Sequence, residues 1–509
     1  MENIFIMGVD IGTSGSKGVI ISSDGKVKAE DYIEHDLSMP QPGWAEHDAE
    51  RVWWGDFKVL LKHLAEKSNL KPRQITAIGI SALCPDLLLV DKDDVCLRPA
   101  ILYGIDTRAK EQVKEMNSIF GEDYLFRLTG NSLSAQSLLP KLMWLRDNEP
   151  ENLKKAEKML TASSFIVFKL TGSYCMDYLS ASVGGLVDIK KYEWATDLFK
   201  EMNLSPELLP ELGWATDIAG KISSKASQET GLKEGVPVII GTCDVAAEAV
   251  SAGVLEPGET ILVYGSTMSY LQCLNRPILH RGLFSGLYCI SNCFFSGGAT
   301  ATAGSLTKWF RDNFSPLEKA VEKQIGINAY ELLDDEVNKL ASGPSGLLVL
   351  PFFSGARSPI NDEEAKGVIA GLTLSHNRTH IYKALLEGIG YEIKHNFEVM
   401  KEAGVAPEKI IAVGGGIKGT VWPQIISDVL GKEQYCLEQS SGAPLGAAFL
   451  AGLGTGIIPD RSLIKEKWIK IGRVVKPSLS THNVYQKYYQ MYRSFYEKTK
   501  NCIHQLGKD

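Results

Sequence analysis

The stretch "GVDIGTSGSKGVIISSDGKV", residues 8–27, places an acid at the mouth of a turn made of glycine and hydroxyl residues. A short apolar run ends at Asp10; Gly12, Thr13, Ser14, Gly15 and Ser16 lead to Lys17, and a second apolar run resumes. Successive backbone N–H groups in a turn with little side-chain bulk can wrap phosphate oxygens. Thr13, Ser14 and Ser16 add hydroxyl donors, and Lys17 adds a positive charge. Asp10 cannot bind phosphate directly and needs a cation or a water between, a combination that suggests Mg2+ beside nucleotide phosphates. The spacing is not that of a Walker A loop, and no helix follows it. Taken alone, the stretch reads equally as a tight hairpin with a polar tip.

A second set of residues follows the same order. "VPVIIGTCDVAAEAVSAG" is an apolar strand ending near Asp244, and "GETILVYGSTMSYLQCL" is a hairpin with Gly265, Ser266 and Thr267 at its tip. Asp244, beside Thr242 at a strand end, has the chemistry of a general base; it could also cap the helix that follows. In "AVGGGIKG", Gly414, Gly415 and Gly416 end a strand ahead of a helix, where bare backbone can approach a flat ligand such as a nucleoside.

These residues must be positioned by strands and helices that the sequence also outlines. "NIFIMGVDIG", "KGVIISSDG" and "KVKAEDYIEHD" predict three strands, the last two joined by the Asp24-Gly25 turn. "WAEHDAERVWWGDFKVLLKHLAEKSN" predicts a helix with Asp48 placed to cap it, and "ITAIGISAL" another strand. "DLLLVDKDDVCLRPAILYGI" reads as two strands around a charged turn, and residues 134–171 carry helical spacing. A long helix at "RTHIYKALLEGIGYEIKHNFEVMKEAG", a strand "KIIAVGGG" and the small-residue helix "GAPLGAAFLAGLGTG", suited to close packing, follow. Tyr485, Tyr488, Tyr489, Tyr492 and Tyr496 fall at helical spacing and read as a packing surface rather than a cofactor box.

At 509 residues the chain exceeds what one hydrophobic core organises, so two domains are expected. A formal charge of −7 argues against a nucleic-acid surface. Nine scattered cysteines without CxxC or His-Cys grouping read as reduced thiols of a cytoplasmic protein, not as a disulfide frame or zinc site. No apolar run is long enough to span a bilayer, and no signal peptide is read at the start.

Together the motifs resemble the FGGY family of carbohydrate kinases, within the actin/Hsp70/sugar-kinase superfamily. The resemblance covers nearly the whole length and runs in family order through residues 8–27, "QPGWAEHDAERVWW", "PKLMWLRDNEP", "VLPFFSGARSP", "GVIAGLTLSHNRTHIYKALLEGIGYEI" and "AVGGG…GAPLGAAFLAG". It implies an α/β protein of two ribonuclease-H-like domains, residues 1–233 and 234–509, flanking a catalytic cleft. It further implies ATP-dependent phosphorylation of a sugar hydroxyl with Mg2+, with Asp244 as the base. By the same resemblance Asp10 would orient the metal or its waters. Thr13, Ser14 and Lys17 would contact ATP phosphates, with Gly265 and Thr267 serving the same end from the second domain. Gly304 in "ATAGSLTKW", Gly416 and Ile417 would line the nucleotide site. Asp106 and Arg108 in "ILYGIDTRA" match the family's acid-x-Arg near the sugar, one as acceptor and the other as a donor fork. The implied partners are a small sugar and ATP, with no nucleic acid or membrane; a homodimer is left open.

The sugar is where this chain departs from its branch. Kinases acting on D-xylulose often carry Gln-Met-His-Gly where this chain has Leu83, Cys84, Pro85 and Asp86. Val245 stands where Asn or Gln is common, and Asp86 could restore one sugar contact from a different direction. The overall pattern still resembles the xylulokinase branch and predicts a ketopentose, D-xylulose first. Ribulose, a pentitol, glycerol or a sugar acid are the alternatives. Two readings from other classes compete: a non-catalytic actin-like or chaperone-like ATPase, and a metal-dependent hydrolase built on His376 and His380. The second lacks a Glu between its histidines and a third ligand.

Overall fold

In the computed structural model of the protein, which describes residues 4–438 and 441–506, the opening stretch forms the hairpin its residues predict. Strand Phe5–Ile11 pairs antiparallel with Gly15–Ser22, and that strand with Val27–Glu34. Ile75–Ala82 runs parallel to Phe5–Ile11 on its other side, and the short strands Pro237–Ile239 and Thr242–Cys243 pair parallel with Ile75–Ala82. Every residue of Phe5–Ile11 is buried, as expected for an Ile/Val-rich strand covered on both faces. Helix Gly55–Ser68 packs on the second and third strands, and Asp48 caps the wider turn Ala49–Trp54 that leads into it by accepting the Arg51 N–H.

The small-residue helix, Ala443–Gly454, lies against strands Phe5–Ile11 and Ile75–Ala82 and against helix Asp244–Ser251. Glycine makes these approaches possible. A Cβ on Gly8 would stand 1.9 Å from the Pro444 carbonyl oxygen, and one on Gly446 would stand 1.8 Å from that of Ala247. The contact clamps helix Asp244–Ser251 to the sheet whose interior strand Phe5–Ile11 carries Asp10.

The chain gathers into two compact units that no single cut in the sequence separates. The first is Met1–Pro257, Cys273–Ser296 and Ser440–Lys470; the second is Gly258–Gln272, Gly297–Gln439 and Ile471–Asp509. The second unit repeats the logic of the first: Glu259–Tyr264 pairs antiparallel with Met268–Leu274 and parallel with Lys409–Val413. Gln434–Leu437 and Ile471–Val475 extend its sheet. Helix Arg378–Glu402 starts at a cap on Asn377, with His380 bonded to the Asn377 side chain, while His376 Nδ1 accepts the Thr373 N–H at 3.0 Å. In helix Leu479–Gln505, Tyr485, Tyr489, Tyr492 and Tyr496 are buried; Tyr485 donates to Glu387 at 3.0 Å and Tyr489 to Glu398 at 2.7 Å. The stripe is packing; the Tyr496 hydroxyl donates to Asp362, and that of Tyr492 is buried without a partner.

Two local expectations need correction. Residues 134–171 are not helical throughout, because Ala156–Leu160 is a strand paired with Leu88–Asp91. The second strand expected in "DLLLVDKDDVCLRPAILYGI" shrinks to Ala100–Ile101. In both places the hydrogen bonds come from a distant partner that local spacing does not reveal.

Candidate active site

Strand register assembles the first acid. Asp10 faces Lys17 across one ladder and Ser81 across the other, and the Ser81 hydroxyl donates to its carboxylate at 2.8 Å. Burial pushes the Asp10 carboxyl up, while Ser81 and the Lys17 charge pull it back. Asp244 is the first residue of its helix; Cys243 occupies the cap position, and Asp244 accepts only the Val245 N–H, at 2.7 Å. Its carboxyl is pushed up to about 8, first by burial, then by the charges of Asp10, Glu248 and Asp86. Glu248, one turn along the helix, is raised by burial and by Asp10. A carboxylate made this basic can take a proton from an alcohol far better than an ordinary one.

The strand end before Asp244 is fixed from behind. The buried Thr242 hydroxyl donates at 2.7 Å to buried Asp177, whose carboxyl burial pushes up to about 6. Sequence reasoning missed Asp177, since nothing local marks a pairing with Thr242.

Asp86 is fully buried, and neither of its carboxyl oxygens has a hydrogen-bond partner. Burial pushes it up to about 7, and the Lys141 charge holds it back. Lys141, from helix Leu138–Asn148, is itself fully buried; its ammonium donates to the Pro85 carbonyl at 2.8 Å, and burial lowers it to about 8. Nothing local marks Lys141 beyond its place in "PKLMWLRDNEP".

Asp106 and Arg108 are brought together, but with each other. Arg108 donates through Nε and Nη2 to the Asp106 carboxylate, which also takes the Ala45 N–H at 2.8 Å. The guanidinium lies 4.0 Å from the Trp44 ring and 5.0 Å from that of Trp144, and bonds Glu46 at 2.8 Å. Both side chains thereby brace the "PGWAE" segment.

The turn at Gly12–Gly15 closes through the Gly12 N–H to the Gly15 carbonyl at 3.0 Å, leaving Ser14 and Lys17 exposed and Thr13 half-buried. In the second unit, the strand pair ending at Val263 and Val413 delivers the turns at Gly265 and Gly414 side by side. Gly304 donates to the Gly265 carbonyl at 2.9 Å, stitching the start of helix Gly304–Phe314 to the hairpin tip that carries Thr267. Gly414 has φ +97°, and a Cβ on Gly416 would meet the Trp422 ring at 2.6 Å. The Ile417 carbonyl accepts from Arg473 at 2.5 Å, which fixes the turn's direction. So Gly265, Thr267, Gly304, Gly416 and Ile417 cluster in one unit, and Asp10, Asp86, Asp106, Arg108 and Asp244 in the other.

Among the described residues no three His, Cys, Asp or Glu side chains are grouped to hold a metal, and no helix is long and apolar enough to cross a membrane. A lone carboxylate at a phosphate turn suits Mg2+, which keeps its waters and takes its other ligands from phosphate.

Comparison with known proteins gives the same direction. Sequence models of the N-terminal and C-terminal domains of the FGGY family of carbohydrate kinases match residues 5–251 and 266–455. The xylulose kinase of Bacillus subtilis is 30% identical, with 98% of this chain and 97% of that protein covered. The gluconokinase of Bacillus subtilis is 26% identical over 91% of this chain and 90% of its own length. The crystal structure of xylulose kinase from Rhodospirillum rubrum superposes with a TM-score of 0.90 at 26% identity, covering 98% of this chain and 100% of that one. With its two-domain α/β fold, its two hairpin turns and these matches along both halves, the chain belongs to the FGGY family of carbohydrate kinases.

Proposed function

We propose that this sugar kinase transfers the γ-phosphoryl group of ATP to a hydroxyl of a ketopentose, D-xylulose before others, with Asp244 as the general base. The observation that carries the reading is the Asp244 carboxyl, held at a helix start among Asp10, Glu248 and Asp86 and pushed up to about 8. The sugar hydroxyl would give its proton to Asp244 as its oxygen attacks the γ-phosphorus and ADP leaves. Asp86, a buried carboxylate without a partner, would accept from a second sugar hydroxyl, compensated by Lys141. Such a group disfavours an anionic substrate and supports a neutral ketose over a sugar acid.

Thr13, Ser14 and Lys17 would meet the phosphates, Thr267 would do so from the second unit, and Gly304, Gly416 and Ile417 would flank the nucleoside. Asp10 would hold Mg2+ together with ATP's own oxygens, where the ion offsets phosphate charge. None of the nine cysteines, all among the described residues, is in a disulfide, which suits the cytoplasm, where ATP is also found.

The test is ADP release measured across D-xylulose, D-ribulose, pentitols, glycerol and gluconate. The reading expects D-xylulose to give the highest kcat/KM. A higher value for gluconate or glycerol would overturn the substrate, and ATP turnover indifferent to every sugar would overturn the chemistry.

A further inference from the structure

Two carbonyls of the first turn are claimed from within the protein, and a third faces the His47 ring. His35 Nε2 stands 3.1 Å from the Gly12 carbonyl oxygen, and the His47 ring lies beside the Thr13 carbonyl. The Ser14 carbonyl accepts from the Tyr32 hydroxyl and from the His35 N–H, each at 3.2 Å. In a planar trans peptide the C=O and the following N–H point opposite ways. The Thr13 and Ser14 N–H groups are therefore turned away from these partners, and adjacent amides so aligned form a concave nest for anionic oxygens.

Behind the turn lies a charge arrangement that sequence reasoning did not find. Asp56 Oδ2 takes the Ser16 hydroxyl and His35 Nδ1, each at 2.7 Å. His35 thus bridges the Gly12 carbonyl and the Asp56 carboxylate through its two ring nitrogens, its side chain only 7% exposed. His47 lies edge-on to it, with ring centroids 4.9 Å apart. Its Nδ1 accepts the Trp53 indole N–H at 3.1 Å, and burial pushes the ring down to about 4, so it is neutral with its proton on Nε2. Besides Asp56 and the two imidazoles, Arg51 is the charged group felt at this spot.

We propose that His35 and Asp56 are positioning residues for the phosphates of ATP: their hydrogen-bonded pair grips the Gly12 carbonyl and the Ser16 hydroxyl and thereby aims the Thr13 and Ser14 amides. The inference rests on the reading of the Gly12–Lys17 turn as a phosphate site. It adds a second layer that touches no substrate and acts only through the turn's direction.

Calorimetric binding of Mg-ATP and of AMP to full-length wild type, His35→Gln, Asp56→Asn and Lys17→Met tests it. AMP carries the nucleoside without the β- and γ-phosphates, so its affinity reports a folded nucleotide site. His35→Gln and Asp56→Asn should each weaken ATP at least about tenfold, the scale of one lost hydrogen bond to a charged group, and leave AMP within about twofold. A loss of ATP affinity in Lys17→Met alone would overturn the positioning role while the phosphate turn stands. Unchanged ATP affinity in all three variants would overturn both. Equal losses for ATP and AMP would also overturn it.

Discussion

Asp244, Asp10, Glu248 and Asp86 lie within one another's field, and like charges resist ionising together. A base works only when ionised, so kcat/KM for the sugar should rise with pH along a limb near 8, where the Asp244 carboxyl loses its proton. Asp10→Asn removes the largest neighbouring charge and should move that limb to lower pH, whatever it does to the maximum rate; a limb that stays in place would speak against the coupling. Asp86 carries a second consequence. Its carboxyl is raised from 3.8 to about 7, so the folded protein binds that proton more tightly than the unfolded chain. Its contribution to stability is full at low pH and lost as pH rises through about 7. Asp86→Asn, which cannot ionise, should melt about 2 °C or more above wild type at pH 8, an advantage that shrinks by pH 5 and is gone only below 3.8. The same change should raise the sugar KM about tenfold, since a buried acceptor for a hydroxyl is altered. Thermal melts at the two pH values, with kinetics beside them, check both halves.

At the scale of elements, the position of Asp244 depends on how closely helix Ala443–Gly454 can approach its neighbours. Gly446→Ala would drive a methyl into the Ala247 carbonyl, so it should cost about 2 kcal/mol or more and lower the melting temperature. Gly415→Ala, whose methyl would meet nothing within 4 Å, is the control and should melt near wild type. A Gly446→Ala enzyme as stable as the control would show that the clamp is looser than drawn. The small residues of this helix announce in sequence that something comes close, but spacing along one helix cannot name the neighbour, here the strand bearing Gly8. The two hairpins were legible because apolar strands and glycine-hydroxyl tips are local signals. Ala156–Leu160, the Asp177–Thr242 bond and the His35–Asp56 pair were not, because each depends on a partner far along the chain. Asp106 and Arg108 were legible as a pair, but sequence could not show that their hydrogen bonds close on each other and on Glu46.

At the scale of the whole molecule, the chain stays in the first unit through Pro257, because strands Pro237–Ile239 and Thr242–Cys243 pair with Ile75–Ala82 and carry Asp244 beside Asp10. The proposed phosphate contacts are thus divided, Thr13 in one unit and Thr267 in the other, with Asp244 beside the former. Thr13→Val and Thr267→Val should each raise the KM for ATP about three- to tenfold, with the KM for the sugar within about twofold. A change confined to the sugar KM in either variant would remove that residue from the nucleotide. The most direct measurement is single-turnover phosphoryl transfer from ATP to the best sugar of the screen by Asp244→Asn, with ATP affinity determined on the same protein. The account predicts a rate about two to four orders of magnitude below wild type at unchanged ATP affinity. A variant that keeps more than about a tenth of the wild-type rate would contradict it, since losing a general base costs at least about a hundredfold.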